Sequence, residues 1–147
     1  YLTGRWACAM TDEDGDIRSI GETQYQADHQ VRGRGVVDVL GVLRLSAAEK
    51  GEWRIKDGGI EVHSALFDIR RETSGEQAAY LKENPDLAEL GDLFFATAKE
   101  KEGKYDTEFY RVEKIFKDSF RLTMESDGTK YFGKCNRLQG ALSEEMK

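Results

Sequence analysis

Residues 52–62 read Glu-Trp-Arg-Ile-Lys-Asp-Gly-Gly-Ile-Glu-Val, with Asp57-Gly58 at the centre. Asp-Gly is a strong signal for a two-residue hairpin, because a type I′ turn needs positive φ at both central positions. A turn centred there sets Ile55 opposite Ile60 and Trp53 opposite Val62. Apolar residues then fall together on one face, as a half-buried antiparallel sheet requires. The same reading applies at Asp127-Gly128, which sets Met124 opposite Tyr131, Leu122 opposite Gly133 and Phe120 opposite Cys135. At Asp14-Gly15 it sets Trp6 opposite Thr23 and Cys8 opposite Gly21.

Outward from these three hairpins, short alternating runs separated by glycine-containing turns continue through most of the chain. They predict strands at about 2–10, 17–27, 31–45, 52–56, 59–71, 105–116, 119–126 and 129–138. An antiparallel meander of this kind closes as an all-β, up-and-down barrel. The segment 74–90 differs. Ser74 with Gln77 forms a capping-box pattern, Asn84-Pro85 reads as a second helix start, and Leu87, Leu90 and Phe94 keep a helical spacing. A helical excursion, set as a lid across one mouth, is expected there. Segment 92–101 reads equally as helix or as a strand hairpinned to 105–116, which leaves eight or nine strands. The expected organisation is one barrel over residues 1–138 and a C-terminal tail at 139–147.

Composition narrows the function classes. The 147 residues carry a net charge of −6 with no basic tract, which argues against nucleic acid, whose binding rests on phosphate neutralisation. No apolar run approaches the ~18–20 residues that a spanning helix needs. The chain starts at Tyr1, without Met and almost directly in a strand, which suggests an upstream segment that has been removed.

Gly4-Arg5-Trp6 and Cys8 stand near the start, Cys135 and Arg137 near the end. One antiparallel register between the first and last strands pairs Trp6 with Arg137 and Cys8 with Cys135 at once. A Gly-x-Trp in the first strand under an Arg from the closing strand resembles the lipocalins and their calycin relatives. The Gly51-x-Trp53 run with the Asp57-Gly58-Gly59-Ile60 turn is closer still to bacterial lipocalin-like domains of uncharacterised envelope or secreted proteins. The resemblance implies an eight- to nine-stranded barrel that holds a small ligand, with Arg137 over the indole of Trp6 at its narrow end. The two cysteines are either a disulfide, which would point to a periplasmic or secreted protein, or two buried thiols, which would leave the cytoplasm open.

The remaining chemistry is sparse. Asp12, Asp14 and Asp16 lack the Gly and Glu positions of a calcium loop and read as a solvated hairpin tip. His29 and His63 sit in no metal-ligand spacing, so no metal or cofactor is expected. Gly33, Gly35 and Gly41 read as bending points within one long strand, not as a phosphate loop. If strand 105–116 turns tightly at Lys117-Asp118, Phe109, Arg111, Glu113 and Ile115 face the same side as Phe120, Leu122 and Met124. Arg111 and Glu113 would then point inward, near Thr23, Tyr25 and Tyr131. Apolar walls with a few fixed polar groups make a small-ligand site, and an inward Arg suits a carboxylate. The alternative is an Arg111–Glu113 pair that satisfies itself, or a longer turn that flips both outward. The expected site is Tyr25, Trp53, Phe109, Arg111, Glu113 and Tyr131, binding a small apolar or carboxylate ligand without catalysis. An interaction module with a filled barrel and an unknown protein partner, and a barrel-type isomerase using the inward polar pair, are the alternatives.

Overall fold

The computed structural model describes residues 1–138; the tail expected at 139–147 lies outside the described residues. Eight strands follow in order: β1 (Gly4–Asp12), β2 (Ile17–Tyr25), β3 (Gln30–Val39), β4 (Leu43–Lys56), β5 (Gly59–Arg71), β6 (Asp106–Ile115), β7 (Ser119–Ser126) and β8 (Thr129–Arg137). Each pairs antiparallel with the next and β8 returns to β1, so the sheet closes into a barrel. Two helices, α1 (Gly75–Glu83) and α2 (Pro85–Lys101), stand between β5 and β6. The open question at 92–101 is thereby settled as helix, and the strand count as eight.

The Asp-Gly registers hold. Trp53 pairs with Val62 across Asp57-Gly58, both of whose φ values are positive (49° and 76°). Phe120 pairs with Cys135 across Asp127-Gly128 (51° and 80°). Trp6 pairs with Thr23, although there the loop is Glu13–Asp16 and Gly15 alone takes positive φ, at 75°. The strands at 31–45 and 52–56 need correction: β3 ends at Val39 and β4 runs unbroken from Leu43. The chain reverses at Leu40 and Gly41, with φ of 55° and 69°, inside an apolar run that reads as one strand. Gly41 is a turn residue. Gly35 stays in the strand and faces Gly21, where a Cβ would lie 2.8 Å from the opposing Cα, so the two strands approach closely at this corner.

Trp6 defines the base of the barrel. It is fully buried, with its indole N–H donated to the Leu2 carbonyl at 2.7 Å and Phe120 edge-on at 4.8 Å. Gly4 has φ of 130°, a conformation open to glycine, and this lets residues 1–3 fold back beneath the base. Arg137 lies over the Trp6 ring at 4.3 Å and also donates to the Tyr1 carbonyl at 2.6 Å. Cys8 and Cys135 are joined in a disulfide, their Cα atoms 4.1 Å apart. The predicted joint register is met at both pairs.

At the opposite mouth, the helices pack on the β3–β4 turn. Val42, Leu43 and Leu81 form a second buried cluster there, with Leu87, Phe94 and Phe95 against it. Ser74 caps α1, accepting from the Gln77 N–H at 3.1 Å. The box is not reciprocal, because the Gln77 side chain donates instead to the Gly41 carbonyl at 2.6 Å and ties the helix to the turn. Asn84 leaves the start of α2 without a side-chain cap and donates back to the Tyr80 carbonyl.

Candidate ligand site inside the barrel

Inward residues alternate along each strand, and in the middle of the barrel they are not all apolar. Trp53 points inward on β4, so period-two alternation brings Gly51 and then Glu49 to the same face. Val62 points inward on β5, and so does Ser64 two residues on. On β6 the inward set is Glu108, Tyr110 and Val112, of which Tyr110 and Val112 pack against the main core. Of these, Glu49, Val62 and Tyr110 line a cavity of about 70 Å³. Its polar lining is Thr23, Tyr25, Glu49 and Tyr110; its apolar wall is Met10, Val31, Val62, Leu122 and the disulfide.

The polar groups are incompletely matched. Ser64 donates to Glu49 Oε2 at 2.7 Å, and Tyr110 donates its hydroxyl to Glu108 Oε2 at 2.6 Å. Among the described residues, neither carboxylate is in an ion pair. Tyr25 is 6% exposed, yet its hydroxyl has no hydrogen-bond partner among the described residues. Burial raises Glu49 above the ordinary carboxylate range; the Ser64 hydrogen bond opposes this and the Glu108 charge adds to it. Burial likewise pushes the Tyr25 and Tyr110 hydroxyls above the usual tyrosine range, with Glu49 reinforcing the first and Glu108 the second. Burial in a poorly solvated space is thus the leading cause of the shift at Glu49, Tyr25 and Tyr110 alike.

The expected site residues divide into two sets. Tyr25, Trp53 and Tyr131 are on inner faces. Tyr25 lines the cavity, while Trp53 packs edge-on against it at 5.5 Å and donates its indole N–H to the Gln26 carbonyl. Tyr131 faces Met124 higher in the barrel. Phe109, Arg111 and Glu113 are on the outer face, which corrects the expectation that they point inward. The turn at Lys117-Asp118 does set Ile115 opposite Phe120, as read from the sequence. A β-bulge between Val112 and Lys114 then shifts the register by one. One extra residue exchanges the two faces for the rest of a strand. Arg111 is exposed, and Glu113 accepts from Thr123 Oγ1 at 3.0 Å on the outside. Arg111 is therefore not placed inside to meet a carboxylate, and the Arg111–Glu113 pair required by the isomerase reading faces outward.

Sequence reading missed Glu49, Ser64, Glu108 and Tyr110. The first two were recoverable: carrying the Asp57-Gly58 register back past Glu52 puts Glu49 and Ser64 on the inner face. The last two were hidden by the bulge. His29 lies in the β2–β3 turn with φ of 68°, and His63 is exposed against Thr107. No group of three or more metal-ligating side chains occurs among the described residues.

No family model and no curated protein matches this chain. Among solved structures it is similar to a redesigned β-barrel, 17% identical over 94% of this chain and 92% of that one, with a TM-score of 0.50. A de novo designed fluorescence-activating β-barrel is 12% identical over 94% of each chain, with a TM-score of 0.49. A redesigned β-barrel bound to DFHBI is 14% identical over 92% of this chain and 94% of that one, at 0.46. At these identities the likeness is one of fold alone.

Proposed function

We propose that this protein is a lipocalin-like barrel that binds a small, partly apolar ligand in its interior. The observation that carries the reading is the mid-barrel cavity, where the Tyr25 hydroxyl and the half-buried Glu49 face an apolar wall. The Tyr25 hydroxyl lines this space without a side-chain or backbone hydrogen bond among the described residues, so a ligand donor there gains a partner that the fold itself does not use. The cavity admits roughly five water-sized particles at ~10–15 Å³ each, which limits the ligand to a few non-hydrogen atoms. Support for the lipocalin-like assignment comes from Gly4-x-Trp6 beneath Arg137 at the base. The disulfide supports a periplasmic or secreted location, consistent with the resemblance to bacterial envelope domains.

Native mass spectrometry of freshly purified, oxidised protein tests the reading. A co-purifying mass that is released on denaturation is expected. A protein that retains only its own mass, and that gains none when incubated with a panel of small amines, alcohols and acids, would overturn it.

A second reading has its own observation. Ile55, Ile115 and Phe116, in or beside the base turns, are exposed at 63%, 64% and 53%. Such residues suit an interaction module that meets another protein at the plugged end. Concentration-dependent self-association or partner capture that is abolished by Ile115→Lys would favour it.

A further inference from the structure

The charge of the cavity says which small ligand it takes. None of its lining residues is a lysine, arginine or histidine, while Glu49 lines it and Glu108 stands directly behind Tyr110. An anionic ligand would enter a poorly solvated space lined by one carboxyl group with a second close behind, and with no cation in the lining to offset the repulsion. A neutral apolar ligand would leave the Tyr25 hydroxyl and the free acceptor capacity of Glu49 unpaired. Ser64 fills one position on Glu49, and an ionised carboxylate has about four lone-pair sites. An ammonium group presents three donors and no acceptor. It matches a site whose unfilled positions are a carboxylate and a phenol oxygen. The two tyrosine rings add an aromatic lining that favours a cation, and the apolar wall accepts a short alkyl chain.

From this geometry we propose that the barrel interior is a site for a small protonated amine, with Glu49 as its charge partner and Tyr25 as its hydrogen-bond acceptor. The assignment rests on the small-ligand reading above and names the chemistry of that ligand. The carboxylate ligand expected from an inward Arg111 is replaced by its electrostatic opposite.

The test uses three probes of nearly equal size: propylammonium chloride, propan-1-ol and sodium propionate. Each is titrated into the oxidised protein while backbone amide NMR shifts are followed. Propylammonium is expected to move the resonances of Tyr25, Glu49 and Tyr110 at millimolar concentration, with the other two probes giving at least about tenfold weaker effects. Glu49→Gln should weaken propylammonium about tenfold or more, and Tyr25→Phe severalfold. Glu113→Gln, on the outer face, should leave binding unchanged. Equal binding of propan-1-ol, or preferential binding of propionate, would overturn the amine assignment while leaving an interior ligand site standing. A bound small molecule found by native mass spectrometry, with propylammonium inert, would do the same. If all three probes are inert and no bound molecule is found, both readings fail together. Because the three probes are compared on the unaltered protein, the result does not depend on any variant folding.

Discussion

The base of the barrel and its middle are built on opposite terms. At the base, Trp6 is wholly buried, its N–H is bonded, and Arg137 covers the ring while donating to Tyr1. In the middle of the barrel, the buried Tyr25 on β2 and the half-buried Glu49 on β4 retain hydrogen-bonding capacity that the fold does not use. Both regions share the same strands and the same disulfide. What separates them is the use of polar groups: at the base they fix one arrangement, and in the middle they keep hydrogen-bonding positions that face the cavity.

The contrast predicts mutational effects of different size and different sign. Replacing both cysteines, Cys8→Ser with Cys135→Ser, opens a loop with a sequence separation of 127. The chain-entropy relation puts the loss at about 4–5 kcal/mol, to be read from urea unfolding. Trp6→Ala empties the most enclosed position in the base and should cost about 3–5 kcal/mol in the same assay. Arg137→Met keeps the covering side chain but removes the charge over the indole, for a loss of about 0.5–2 kcal/mol. If Arg137→Met proved as costly as Trp6→Ala, the base would depend on charge and the comparison would need redrawing.

The smallest effect should have the opposite sign. Burial raises the folded-state pKa of Glu49 above its ordinary 4.5, so the fold favours the protonated form. The stability linked to this residue is complete below that ordinary value and is lost as pH climbs through the raised one. Glu49→Gln, which is always neutral, should therefore raise the melting temperature at pH 7 and leave it unchanged at acidic pH. A melting series across that range checks it. A destabilised variant at pH 7 would mean that the carboxylate is structural, and the middle of the barrel would then resemble the base.

Much of this arrangement could be read from the chain because three Asp-Gly turns impose registers that residue spacing alone determines. Trp6 against Arg137 and Cys8 against Cys135 followed from one alignment, and both contacts occur. Two local features escaped. Leu40 adopts positive φ inside an apolar run, which made β3 and β4 read as one long strand followed by a short one and left Glu49 outside any strand. Glu113 is the extra residue of a bulge, which no side-chain pattern announces, and it turned Arg111 outward and Tyr110 inward. The site was misread for the same reason that the base was read well: in a barrel, position along the strand decides everything, and a single residue reverses it.

The bond between Cys8 and Cys135 has a topological consequence. It makes the chain between them a covalent ring, with every hairpin and both helices contained in it. A protease that cuts once in the loop before α1, near Ser74, would therefore produce two fragments that remain one molecule.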